Sequence, residues 1–132
     1  MIVEKENVFE IPATDHLVVA SWGRDPWSIR LELQSDEVRW TLSIRSTFSL
    51  KRFIETEPVP AMEVLPDLIG ESVLVVFARK ADGKLEIKFS QDWILIVEAD
   101  PNYEAWEMHS SRGERLIATP GDGVAKWGES RR

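Results

Sequence analysis

Apolar and polar residues alternate with a period of two along much of the chain. Trp27, Ile29, Leu31 and Leu33 fall on one side of an extended backbone, and Ser28, Arg30, Glu32 and Gln34 on the other. Val38, Trp40, Leu42 and Ile44 repeat the pattern against Arg39, Thr41, Ser43 and Arg45. Successive side chains of a strand project to opposite faces, so this alternation predicts two half-buried antiparallel strands; a helix would scatter the same apolar residues around its circumference. Ser35-Asp36 between the runs suits a tight turn and makes the pair a hairpin.

The second half continues in the same style. Val73 to Arg79 is almost continuously apolar and β-branched, which predicts a central strand covered on both faces. Asp82-Gly83 is a strong hairpin signal, because glycine accepts positive φ without a steric cost. Leu85, Ile87 and Phe89 then alternate with Glu86, Lys88 and Ser90, and Trp93 to Glu98 reads as the next strand. Tyr103–Ser110 and Arg115–Thr119 predict a further pair, and Pro120-Gly121-Asp122-Gly123 turns the chain into a last strand, Val124–Trp127. Leu17 to Trp22 is expected to open the sheet, with the preceding residues and the Arg131-Arg132 end frayed. Helix is confined to Ala61–Ile69, where Met62, Leu65 and Ile69 are spaced by three and four; Pro66 limits it to one or two turns and Gly70 stops it. The expected fold is mainly β (α+β at most): a single domain over residues 1–132, an antiparallel roll, barrel or sandwich of about eight strands with one short helix.

The composition narrows the function classes. At 132 residues, with 43% apolar and 30% charged residues, the chain can bury a core unaided. No cysteine is present, which removes disulfides, thiolate nucleophiles and cysteine-ligated metals. A net charge of −7 argues against a nucleic-acid partner, which would require a basic face. The longest uncharged apolar run, Val73 to Ala78, falls far short of the ~20 residues a membrane helix needs. The acidic, interrupted start, Met1 to Asn7, does not resemble a signal peptide, so the cytoplasm is the expected compartment.

Several short elements resemble a known family: Leu68-Ile69-Gly70, Gly83 to Phe89, Tyr103-Glu104-Ala105-Trp106, and Pro120-Gly121-Asp122-Gly123 followed by Trp127. Together they resemble an uncharacterised bacterial family of small domains known by Tyr-Glu-x-Trp and Pro-Gly-Gly…Trp elements, with Trp40-Thr41-Leu42 and Phe48-Ser49-Leu50 echoing its N-terminal strands. Asp122 stands where that family more often has a second glycine. The resemblance implies a small β-rich domain and transfers no catalytic residue. Proteins of similar size and type include suspected immunity proteins encoded beside secreted toxins, so it also implies a protein partner.

Candidate chemistry is sparse. His16 and His109 are the only imidazole bases, and neither sits in a nucleophile or zinc motif. Glu104 and Glu107, three apart in one predicted strand, would face opposite sides of the sheet and cannot form a local acid–base pair. Gly121-Asp122-Gly123 lacks the third glycine of a dinucleotide fingerprint, Lys126 standing in its place. No catalytic residue, metal site or cofactor is therefore expected. Six tryptophans suggest a tryptophan-rich core, with Trp27, Trp40, Trp93, Trp106 and Trp127 in strands and Trp22 expected to be the most exposed. A subset, Trp22, Tyr103, Glu104 and Trp106, is the candidate small-ligand pocket. The segment Ile54–Ala78 carries Glu55, Glu57, Glu63, Asp67 and Glu71 without one lysine or arginine, interleaved with apolar residues. Concentrated acidic charge with apolar anchors suits capture of a basic protein partner, so these five acids are the candidate partner-binding residues. The two function readings are a non-catalytic protein-binding domain of immunity type and a small-ligand binder or enzyme with a tryptophan- and carboxylate-lined cleft.

Overall fold

The computed structural model describes residues 1–24, 26–52, 65–121 and 123–128. Twelve strands form among them: β1 (Val3–Glu4), β2 (Val8–Ile11), β3 (Val18–Arg24), β4 (Ile29–Gln34), β5 (Arg39–Ile44), β6 (Phe48–Arg52), β7 (Val73–Arg79), β8 (Leu85–Phe89), β9 (Trp93–Val97), β10 (Trp106–Ser110), β11 (Arg115–Ala118) and β12 (Val124–Trp127). They build two six-stranded antiparallel sheets, ordered β1-β2-β7-β8-β9-β6 and β12-β11-β10-β5-β4-β3. The inward residues of both sheets join one buried cluster: Ile11, Val76, Ile87 and Leu95 from the first, and Leu33, Trp40, Leu42 and Met108 from the second. Of the three expected architectures, roll, barrel and sandwich, the chain adopts the sandwich.

The predicted hairpin is β4–β5, with Leu31 opposite Leu42 and Leu33 opposite Trp40. Several expectations are corrected. Twelve strands replace about eight: β1, β2 and β6 are too short to show periodicity and are held by pairing, β6 to β9 and Val8–Ile11 antiparallel to Val76–Arg79, so the start of the chain is not frayed. Leu17–Trp22 falls largely in β3, which in chain order is the first strand of the second sheet, but β1 and β2 of the other sheet precede it. Strand β7 is covered on one face only: Leu74 is exposed, and a bulge between Val73 and Val75 resets the alternation so that Val73, Val76 and Ala78 all point inward. Trp27 precedes β4 instead of lying within it. The described part of the expected helix is a single 3-10 turn, Leu65–Leu68, whose two leucines are buried three residues apart, matching its repeat.

Contacts at opposite ends of the sandwich join the sheets. At one corner the backbone of Leu17–Val19 serves both. Val18 and Val19 pair with Gln34 and Leu33 of β4. On the other side, Val19 N–H donates to Glu71 O at 2.9 Å, Gly70 N–H to Val19 O at 2.8 Å and Val73 N–H to Leu17 O at 2.8 Å. At the other end, the indole N–H of buried Trp106 in β10 donates to Gly83 O at 2.8 Å, in the β7–β8 turn of the opposite sheet. Gly83 adopts φ +74°, as the Asp-Gly signal predicts. Gly123 packs backbone to backbone on this turn: at φ +82°, a Cβ there would run into the Lys80 carbonyl oxygen.

Two stability predictions follow from that second contact. Trp106→Ala empties a fully buried site and orphans the Gly83 carbonyl, and should cost about 3–5 kcal/mol in urea unfolding. Gly123→Ala should cost about 2 kcal/mol or more, since it adds left-handed strain to a backbone clash; an unchanged urea midpoint would remove the turn-on-turn contact from the account.

Candidate functional site: a charged groove beside the sheet corner

The corner formed by Leu17–Val19 borders a groove of about 820 Å³. Three segments supply its charged walls. The 3-10 turn Ala13–Asp15 is closed by His16, whose left-handed φ of +53° ends the turn and leads into Leu17 and Val18. The β4–β5 turn is tied by Ser35: its N–H donates to Val38 O at 2.9 Å. Its hydroxyl accepts the N–H groups of Glu37 and Val38, both at 3.2 Å. That closure leaves Asp36 and Glu37 at an exposed tip. The β10–β11 turn brings Arg112, whose guanidinium reaches Glu37 at 3.6 Å. The Met1 amino group pairs with Asp15. Asp36 forms no ion pair among the described residues. Behind the groove, the largely buried Glu114 accepts the Ile2 N–H at 3.3 Å.

The five candidate acids divide. Glu55, Glu57 and Glu63 lie outside the described residues. Asp67 is exposed on the 3-10 turn that contacts β3, and Glu71 belongs to the strip that pairs with Val19. The Glu71 carboxylate accepts the Ser90 hydroxyl. Both therefore stand at the corner that borders the groove. Asp15, Asp36 and Glu37 were not singled out from the sequence, because each is an ordinary turn acid locally and only the fold assembles them.

The candidate small-ligand residues are not brought together. Trp106 is fully buried in β10, while Trp22 is half-buried in β3, with β4 and β5 between them. Glu104 is exposed in the segment before β10, so the strand parity expected of Glu104 and Glu107 does not apply to it. Glu107 is held by Arg115 at 2.7 Å, and His109 lies 4.0 Å from it on the outer face of the sheet. Trp27, at 84% exposure, and not Trp22, is the outlying tryptophan. Among the described residues, no group of three His, Asp or Glu side chains is placed to hold a metal. No described helix is long and apolar enough to cross a membrane.

Fold and groove define a two-sheet antiparallel β-sandwich with a charged groove at one end. Residues 26–128 match the model of DUF6188, a family of unknown function, and the chain belongs to that family. No curated protein and no solved structure matches it. The match includes Asp36, Glu37 and Arg112 and leaves out β1 to β3 with Asp15 and His16.

Tyr103, the one tyrosine of the chain, donates to Arg45 O at 3.3 Å. Partial burial pushes its phenol above the ordinary range, and the negative charge and hydrogen bond of Asp100 push in the same direction. The native state thus holds this proton more tightly than the unfolded chain does. Its contribution to stability is complete below the ordinary phenol pKa of about 10 and is lost as pH rises through the native value. Absorbance at 295 nm should show a single phenol titrating above that value, and Asp100→Asn should lower the midpoint only part of the way, since burial remains. A midpoint at the ordinary value would contradict this environment.

Proposed function

We propose that the chain is a non-catalytic protein-binding domain that receives a basic partner at the groove walled by Asp15, Asp36 and Glu37 and at neighbouring Asp67. Its most concrete form is a cytoplasmic immunity protein that masks the basic cleft of a toxin by occlusion and charge complementarity. The observation that carries this reading is the convergence of acids from two separate segments, Asp15 and the Asp36-Glu37 turn, on one groove, with exposed Asp67 on a third segment nearby. Exposed turn carboxylates speed and orient the encounter, and the partly exposed Val18 offers an apolar contact once the partner is seated. Such a site does its work by covering another protein's surface and needs no chemistry of its own.

Tagged protein should co-purify with a stoichiometric basic protein from its own cell background at low salt and release it as salt rises. The triple variant Asp36→Lys, Glu37→Lys, Asp67→Lys should weaken that complex about 10- to 100-fold and flatten its salt dependence. Inhibition of the partner's activity by the wild type, and its loss in the variant, would establish masking. Recovery of the chain alone at both salts, or unchanged affinity in the variant, would remove the reading.

A further inference from the structure

The other end of the second sheet carries the opposite chemistry. A depression of about 290 Å³ lies where the β3–β4 and β5–β6 connections meet, and Arg24, Trp27, Ile29, Ile44, Arg45 and Phe48 line it. Ile44 is buried and Ile29 and Phe48 are half-buried, so they form an apolar floor. Trp27 is the most exposed large apolar side chain among the described residues, at 84%. An indole left this open is informative, since burial of its area would otherwise be among the larger gains available to the fold. Arg24 and Arg45 are both exposed, and neither has a described carboxylate within 4 Å; Asp25 lies outside the described residues. None of the described lining residues is acidic, in a chain whose net charge is −7. The described lining is thus basic in an acidic chain.

We infer that this depression binds a small planar ring bearing a phosphate or carboxylate, with the ring stacked on Trp27 and the anion held by Arg24 and Arg45. A guanidinium presents a flat fork of N–H donors that matches both anions, and an indole face accepts any flat ring. The volume suits one ring and one anionic group, at the small end of the ~300–1,000 Å³ of ligand pockets. A long polyanion is disfavoured by the charge of the remaining surface. An uncharged sugar would call for carboxylates or amides around its hydroxyls, and the described lining has neither.

Calorimetric titration of the full chain with four probes tests this: adenosine monophosphate, naphthalene-2-carboxylate, adenosine and inorganic phosphate. At least one of the two ring-bearing anions should bind saturably, and which one does identifies the anion; adenosine and phosphate should bind at least about 10-fold more weakly. Trp27→Ala and Arg45→Gln should each weaken the bound probe about 10-fold, while Arg112→Gln, at the opposite end, should leave it unchanged. The substituted side chains are exposed, so thermal melts should match the wild type and verify folding. The inference is overturned if neither ring-bearing anion saturates, if adenosine binds as tightly as its monophosphate and naphthoate does not bind, or if both site variants keep wild-type affinity.

Discussion

The three residues Leu17 to Val19 have their backbone shared between two sheets, and much of the molecule is arranged around that fact. One side of this short stretch pairs with β4; the other accepts and donates the hydrogen bonds of Gly70, Glu71 and Val73. Buried peptide groups must find partners, so this sharing leaves β3 paired on both sides where it leaves the core. It also explains the irregularities nearby. β3 has a register shift between Val19 and Ser21 and β7 has one between Val73 and Val75, one on each side of the seam. Each bulge turns its strand from the shared corner into its own sheet.

The opposite end is secured differently, by close approach. Trp106 crosses from one sheet to hydrogen-bond the Gly83 turn of the other, and Gly123 rests against the same turn at a distance that admits no side chain. One large residue and two glycines therefore act as a unit: the indole fills the core and the glycines let two turns touch. Between these two ties the sheets need only shape-matched apolar faces, which Leu, Ile and Val supply in both.

With its ends so fixed, the sandwich presents different side chains at each. The connections at the corner end present Asp15, Asp36, Glu37 and Asp67, while the connections that meet at the β3–β4 end present Arg24 and Arg45 beside Trp27. Loops at the two ends of a rigid sandwich commonly carry its binding residues, since they are exposed and held in place by the sheets. Under the two proposals the acidic end would meet a basic protein surface and the aromatic end a small anion, and the two surfaces share no lining residue.

Alternation in Ile29–Gln34 and Val38–Ile44 sufficed to find a hairpin, and Asp82-Gly83 sufficed to place a turn with positive φ, because a strand's faces and a glycine's torsions are properties of a few adjacent residues. The expected membership in an uncharacterised domain family also agrees with the family match over residues 26–128. Beyond a few adjacent residues the sequence became ambiguous. An unbroken apolar run concealed the bulge in β7, and β1 and β2 were invisible because two or four residues hold no period; β2 is a strand because β7 lies beside it, and β1 because β2 does. Alternation also ran on into Trp27, which the chain closure from Arg24 to Ile29 leaves outside the strand. The chain by itself determined an acidic, cysteine-free, mainly antiparallel β protein, since composition and period-two patterning are local quantities. Whether the sheets close into a barrel or face one another, and which acids and arginines stand together, was decided only by tertiary structure, because pairing between residues tens of positions apart depends on the whole arrangement of strands.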